Sequence, residues 1–227
     1  GVAVHYSTGG RSGSSPLWSN TGFKPRGRYN LIVGRRIDSA LYYRIFFSSA
    51  AIISCRPMNS TDEIVAIVDE RNNVVGSAPR REMRAKRLLH RSTYILVFNS
   101  QGQLYVQKRT LTKDLFPGYH DPAAGGVVLA GESYEESARR ELEEEMGIRD
   151  VPLNWLFDFF YSDDHTRVWG GVFSCVFDGK IVLQPEEIES GSFLRISDIL
   201  RRAQTEPFTP DGMVALSRFL GKAHSRS

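Results

Sequence analysis

The sequence contains very few cysteines. Only Cys55 and Cys175 occur among its 227 residues, which excludes the disulfide frameworks that hold small secreted domains together. A reducing, intracellular compartment fits this composition. Cys175 belongs to the apolar run 172–177, so it is expected to be a buried core residue.

Acidic residues are almost absent from the first 57 positions. Asp38 stands there against seven arginines and one lysine, and no methionine precedes Met58. This segment carries +7, so the remainder carries −4 of the total of +3. We interpret residues 1–57 as a disordered leader or translated upstream sequence, with an organelle transit segment as the second interpretation. Residues 58–227 are the expected folded domain. A cytoplasmic location is expected, or a plastid or mitochondrion if the leader is a genuine transit segment.

Long hydrophobic runs are also lacking. The longest candidate, Ile45–Cys55, is too short to span a bilayer, so no membrane association is expected. Because the domain from Met58 onward is negative overall, nucleic acid is not an expected partner either.

The segment from Gly126 to Ile148 has an unusual density of glutamate. Ser133 and Glu136 form a capping box, and Gly147 is a typical left-handed terminator, so a helix is predicted from Tyr134 to Met146. Its apolar residues recur every four positions, which predicts a stripe that docks on a core. These residues are Ala138, Leu142 and Met146.

Three glutamates of this helix, Glu141, Glu144 and Glu145, are spaced three and four residues apart and share one face. Their mutual repulsion would be offset by a hard divalent cation, which prefers carboxylate oxygens. Arg140 lies one turn before Glu144 and can pair with it. Glu132 precedes the helix, where the helix dipole favours an anion. The alternative is an acidic helix face that is merely solvated.

These residues resemble the signature box of the Nudix hydrolases, because they satisfy the pattern G-x5-E-x7-R-E-U-x-E-E-x-G-U, with U aliphatic, at every position. The matching residues are Gly126, Glu132, Arg140, Glu141, Leu142, Glu144, Glu145, Gly147 and Ile148.

The resemblance implies an α/β (α+β) domain, the Nudix α/β/α sandwich with a mixed sheet. It also implies a hydrolase that uses Mg²⁺ or Mn²⁺ to cleave a small-molecule diphosphate, a nucleoside diphosphate derivative or a related organic pyrophosphate. By the same resemblance Glu141, Glu144 and Glu145 are metal ligands, and the Gly126 carbonyl adds another. The general base is left open between these glutamates and a later loop containing Glu186, Glu187 and Glu189. Nudix proteins are often dimers, so a homodimer also stays open.

A second set of residues narrows the resemblance. The runs 89–91, 107–109 and 116–118 resemble a branch that contains bacterial-type Nudix hydrolases and type 1 isopentenyl-diphosphate isomerases. In that branch the residues matching Arg109 and Lys113 meet the substrate's phosphates. The alternative for these two cations is a salt-bridged pair at a strand end. An isomerase is disfavoured, because His120 to Gly126 contains alanines where that enzyme needs a cysteine. A catalytically silent nucleotide-binding domain is the other alternative.

Hydrophobic runs and turn residues predict the remaining elements. Strands are expected at 63–68, 74–78, 93–98, 104–108, 154–161 and 168–177. Further helices are expected at 80–86, 196–203 and 210–220. The first of these helices is strongly basic, which indicates either attraction of a polyphosphate or a solvated surface.

Several other polar and aromatic residues are weaker candidates. His90, His120 and His165 are expected to be packed or surface residues rather than catalytic ones. Trp155, Trp169 and Phe160 are expected in the core, with stacking on a base as the alternative. Tyr119, His120 and the loop 162–167 are candidates for reading the leaving group.

Overall fold

The computed structural model describes residues 62–224. The predicted leader, Cys55 and the start of the predicted domain at Met58 therefore lie outside the described residues. Within the described range no helix is both long enough and apolar enough to cross a membrane.

Eight strands form one mixed sheet. They are β1 (Ile64–Val68), β2 (Val74–Pro79), β3 (His90–Phe98), β4 (Leu104–Arg109), β5 (His120–Asp121), β6 (Asn154–Ser162), β7 (Arg167–Val176) and β8 (Ile188–Leu194). Four helices accompany them: α1 (Arg80–Ala85), α2 (Tyr134–Met146), α3 (Ile196–Arg202) and α4 (Pro210–His224).

The sheet is built around β3. This strand pairs in parallel with β7 over nine residue pairs, from His90 with Val168 to Phe98 with Val176. β7 pairs on its other side with β6 in an antiparallel ladder. β1 and β2 form the predicted hairpin, and β4 pairs antiparallel with β8. The parallel pair among antiparallel neighbours makes the sheet mixed, as predicted.

Alternation along β3 separates two cores, because successive side chains of a strand point to opposite faces. Tyr94 and Leu96 pack in a cluster with residues of α3 and α4. Ile95 and Val97 pack in a second cluster with Ala138 and other residues of α2. Helices therefore cover both faces of the sheet, which confirms the predicted sandwich.

Two strands were not predicted from the sequence. β8 contains Gly191 and two serines, which disfavour a strand in isolation, yet it forms a ladder along most of β4. β5 has only two residues and pairs with Gln107 and Lys108. β3 also begins at His90 rather than at Thr93, because its first residues pair with β7.

The segment just before α2 lies against the sheet. Residues 124–129 run antiparallel beside β3 and β1, with bridges between Ile95 and Ala124, Ser92 and Val127, and Val65 and Leu129. This arrangement fixes Gly126 beside Glu141, in the second half of the following helix.

Candidate active site

Helix α2 has the bounds that the sequence predicts. The Ser133 hydroxyl accepts a hydrogen bond from the Glu136 backbone N–H, and the Glu136 side chain accepts one from the Ser133 N–H. Gly147 ends the helix at φ 66°, a conformation that glycine adopts without strain. The apolar stripe of Ala138, Leu142 and Met146 is fully buried against the sheet, so the glutamate face turns toward a cleft.

That cleft has a volume of about 720 Å³. The three glutamates Glu141, Glu144 and Glu145 line one side of it and are called the acidic wall. Arg140 lies beside them, and four other cationic residues of the lining are called the basic wall: Arg80, Arg84, Arg109 and Lys113.

The acidic wall is graded in exposure. Glu145 is 4% exposed, whereas the Glu144 side chain is 53% exposed. Burial, together with the nearby charge of Glu145, raises the pKa of Glu141 to about 7. Burial also raises the pKa of Glu145, although Lys113 and the Gly125 N–H oppose the change. Two buried carboxylates that disfavour each other's ionisation are the electrostatic arrangement that a bound cation relieves.

Arg140 holds most of this side together. Its guanidinium makes two hydrogen bonds to Glu132, of 2.8 Å and 3.0 Å. It also reaches Glu141 Oε1 at 2.8 Å and Glu144 Oε2 at 3.1 Å. The sequence predicted only the contact with Glu144. The bidentate pair with Glu132 shows why a glutamate precedes the helix: it anchors the arginine that orients the acidic wall.

The Glu141 carboxylate lies so close to the backbone at Gly126 that a side chain there would collide with it. A Cβ at this position would lie 2.4 Å from Glu141 Oε1. The Gly126 carbonyl accepts a hydrogen bond of 2.9 Å from the Thr93 N–H and a longer one of 3.4 Å from the Thr93 hydroxyl, so a cation would compete with the hydroxyl for this oxygen. Carboxylate and carbonyl oxygens are the donors that hard divalent cations prefer, so the donor set fits such an ion.

The side chains as they lie are not yet grouped for a metal. Among residues 62–224 no three carboxylate, imidazole or thiol groups are placed to hold one ion. Arg140 occupies oxygens of both Glu141 and Glu144. Each of these two carboxylates keeps one oxygen that Arg140 does not contact, and binding of an ion through all three glutamates requires the side chains to converge further.

The two predicted phosphate-binding cations do line the cleft. Arg109 Nη1 lies 3.6 Å from Asp121 Oδ2, and its Nη2 donates to the Leu115 carbonyl at 3.0 Å. Lys113 pairs with Glu187, and burial lowers the pKa of its ammonium. Both residues are thus salt-bridged and cleft-lining, so the two interpretations weighed from the sequence are compatible.

The three candidate bases beyond the box are in different places. Glu187 lines the cleft, whereas Glu186 and Glu189 do not. Glu189 is on β8 rather than in a loop, which corrects the prediction, and its carboxylate pairs with Lys108 Nζ at 2.8 Å. The strand forms because this segment is ordered by the ladder with β4.

Several cleft residues were missed or underrated from the sequence. The Tyr94 hydroxyl donates to Asp211 Oδ2 at 2.7 Å on the cleft lining. Asp121 is beside them, and burial raises its pKa to about 7. His90 also lines the cleft, and burial lowers its pKa to about 3, so it is neutral. Only the basic character of α1 gave a sequence signal for this part of the site; nothing local marked Asp121 or Asp211.

The aromatic candidates lie outside the cleft. Trp155 and Phe160 are 50% and 40% exposed, so the prediction that they are core residues is wrong. Both are on β6, which has one ladder partner, β7, and is an edge strand. Phe160 packs on Trp169, and Trp155 on Tyr134. His120 Nε2 lies 3.1 Å from Glu206 and, like Tyr119, does not line the cleft.

Comparison with known proteins agrees with the fold and the box. The sequence model of the NUDIX domain matches residues 88–214, more than half of the chain. The protein belongs to the Nudix family and is a Nudix hydrolase. The family generally uses divalent cations and cleaves nucleoside diphosphate derivatives.

Named relatives extend the match. The chain is 48% identical over 161 residues to an uncharacterised Nudix hydrolase of Pseudomonas aeruginosa, covering 71% of this chain and 95% of the relative. It is 45% identical over 161 residues to the Nudix hydrolase YfcD of Escherichia coli, covering 71% and 88%. A crystal structure of a Deinococcus radiodurans protein superposes with a TM-score of 0.60 at 31% identity, covering 68% of this chain and 98% of the other.

Proposed function

We propose that this protein is a Mg²⁺-dependent, or Mn²⁺-dependent, pyrophosphohydrolase of organic diphosphates, with nucleoside diphosphate derivatives as the substrate class. The observation that carries the proposal is the acidic pair of buried Glu145 and partly buried Glu141, which lines the same cleft as Lys113. An acidic pair in one cleft with cations suits a metal-bound diphosphate, because both signs of charge then find partners.

The residues proposed to hold the ion are Glu141, Glu144 and Glu145, with the Gly126 carbonyl as a further ligand. When bound, Mg²⁺ would neutralise charge on the diphosphate and lower the pKa of water. Arg140 keeps Glu141 and Glu144 aimed at the cleft through its contacts of 2.8 Å and 3.1 Å.

Arg109 and Lys113 are proposed to bind the substrate's phosphates. Each already has a carboxylate neighbour, Asp121 and Glu187 respectively. A diphosphate carries more charge than one divalent ion neutralises, and guanidinium and ammonium groups add charge-assisted hydrogen bonds to it.

The general base is proposed to be Glu187. Of the three candidates beyond the box, it is the one that lines the cleft. Its carboxylate contacts Lys113 and, when ionised, can accept a proton from an attacking water at its Oε1 or Oε2. The box glutamates remain the alternative carriers of this role.

The two alternatives considered from the sequence, an isomerase and a catalytically silent domain, require different features of the cleft. An isoprenyl-diphosphate isomerase needs a thiol at the reacting carbon. In the described part of the chain, the lining of the cleft includes no thiol, and Cys175 is buried in the core cluster under α2. A silent nucleotide-binding domain would bind ligand without turnover.

The test is cleavage of the phosphoanhydride in a panel of organic diphosphates with Mg²⁺ and with Mn²⁺, read as the phosphate that a coupled phosphatase releases from the phosphomonoester products. We expect turnover of at least one substrate, and its loss in the Glu144→Gln plus Glu145→Gln double variant. Turnover that survives both substitutions would sink the mechanism. Calorimetric binding without hydrolysis, for every metal tried, would support the silent domain instead. Conversion of isopentenyl diphosphate without phosphate release would support the isomerase.

A further inference from the structure

Helix α1 divides its cations between two environments. Arg80 and Arg84 are one helical turn apart, so they share a face, and both line the cleft. The neighbouring Met83 is 1% exposed and anchors the helix. Arg81 and Lys86 project into solvent, where they pair with Asp62 and Glu82. The helix is therefore a solvated surface on one side and part of the cleft lining on the other.

The guanidinium groups of Arg80 and Arg84 do not use all of their hydrogen-bond donors. Their Nε atoms are both buried without a hydrogen-bond partner. Arg80 contacts Glu63 through Nη1 at 3.0 Å. Within residues 62–224, no carboxylate lies within ion-pairing distance of Arg84; Asp114 and Asp211 act on it only at longer range. A largely buried cation without a contacting anion destabilises a protein. A bound anionic ligand would supply the missing partner, which is why these arginines indicate a ligand.

Arg80 and Arg84 also line a second cavity of about 440 Å³, to which α1 and its end contribute Arg81 and Arg87 as well. The acidic wall, Arg109 and Lys113 line the cleft but not this second cavity. Arg80 and Arg84 therefore lie where the two cavities adjoin.

We propose that Arg80 and Arg84 form a second anion subsite that binds a third phosphoryl group of the substrate. The inference rests on the proposed function and sharpens it. The preferred substrates are then chains of at least three phosphoryl groups, as in nucleoside triphosphates, rather than diphosphates linked to a neutral sugar. Two guanidinium groups suit such a ligand because each can donate two parallel hydrogen bonds to phosphate oxygens.

The experiment is calorimetric titration of the full chain, with Mg²⁺, by imidodiphosphate and by diimidotriphosphate, which resist hydrolysis. The wild type should bind the triphosphate analogue at least about tenfold more tightly than the diphosphate analogue, as expected for one added pair of charge-assisted hydrogen bonds. Arg84→Met and Arg80→Met should each bring that ratio close to one. The matched control Lys86→Met, at the end of the same helix and paired with Glu82 in solvent, should leave it unchanged.

Thermal unfolding separates binding from a structural role. Because Arg84→Met removes a buried charge that has no contact partner, its melting temperature should equal or exceed that of the wild type. A marked drop, with the binding ratio retained in an Arg84→Gln variant, would overturn the proposal. So would a wild type that binds both analogues equally. If the ratio holds but no diphosphate is hydrolysed, the proposed function fails while the subsite stands.

Discussion

The two walls of the cleft are built in opposite ways. The acidic wall comes from one turn and a half of a single helix, and Arg140 contacts two of its three carboxylates. The basic wall is assembled from α1, β4 and the loop that follows β4, and it contains buried nitrogen atoms without partners. The acidic wall is therefore held by contacts within the chain, although among residues 62–224 its carboxylates do not yet converge on one ion, whereas the basic wall retains donors that a ligand could fill.

Glu187 is the exception to the division into two walls, because it is an acidic residue among basic ones. Its substitution is expected to have the largest effect. If Glu187 is the base, Glu187→Gln should lower kcat by about 10²- to 10⁴-fold, because the amide cannot take a proton. KM should change much less, since Lys113 still binds phosphate. The measurement is steady-state kinetics on the best substrate of the panel. Glu186→Gln and Glu189→Gln, neither of which lines the cleft, are the controls. Comparable losses in all three variants would contradict the assignment.

Arg140 tests whether the acidic wall is preorganised. Arg140→Met should lower activity by about 10- to 100-fold, as loss of a residue that orients ligands does. It should also destabilise the fold by about 3 kcal/mol, because Glu132 and Glu141 are left partly buried and unpaired.

The neighbouring Arg139 is the matched control. It pairs with exposed Glu135 in the same helix, so Arg139→Met should cost at most about 0.5 kcal/mol. Activity and urea unfolding measured on both variants decide the point. Equal effects would show that the acidic wall does not depend on its arginine.

Gly126 tests how closely the acidic wall is packed. Gly126→Ala brings a methyl group 2.4 Å from Glu141 Oε1, so the carboxylate or the segment beside β3 must shift. We expect a destabilisation of about 1–3 kcal/mol together with weaker metal binding, measured by thermal unfolding and Mn²⁺ titration. Gly76→Ala, with open space around its Cβ, should stay within about 0.5 kcal/mol of the wild type. Unchanged metal affinity in Gly126→Ala would argue against a role for Glu141.

The smallest expected effect is the pH dependence of stability that His90 contributes. This residue lines the cleft together with Arg84. Burial lowers its pKa to about 3 in the folded chain, so the unfolded chain binds more protons between pH 3 and the ordinary value of 6.5. Its contribution to stability is therefore complete above pH 6.5 and is lost as the pH falls. The loss is at most about 1.4 kcal/mol per pH unit.

Replacement of His90 by asparagine should flatten this dependence, since the amide can still donate to the Leu88 carbonyl that the ring contacts at 2.9 Å. The buried carboxyl of Asp121, with its raised pKa, acts in the opposite direction but is common to both proteins. The measurement is urea unfolding at several pH values. Parallel curves for the two proteins would contradict the buried, neutral imidazole.

Prediction from the sequence succeeded where the signals were local. The bounds of α2 follow from Ser133, Glu136 and Gly147, which all lie in or next to the helix. β8 was missed because its residues are ordered by the ladder with β4 rather than by their own preferences. The orientation of Arg80 and Arg84 depends on how α1 packs through Met83. Asp211 reaches the cleft only because α4 packs near β3, where Tyr94 meets it.

The parallel pairing of β3 with β7 has a consequence for biosynthesis. The two strands are separated in the chain by the box, α2 and β4 to β6, so closing the sheet encloses most of the proposed site residues in one long loop. Forming such a contact is slow relative to local helix formation. On the ribosome, we expect α2 to form early but to remain without its completed cleft until the chain has been translated beyond Val176. Stalled nascent chains that end before Arg167 should therefore show no Mn²⁺ affinity above that of unfolded chain.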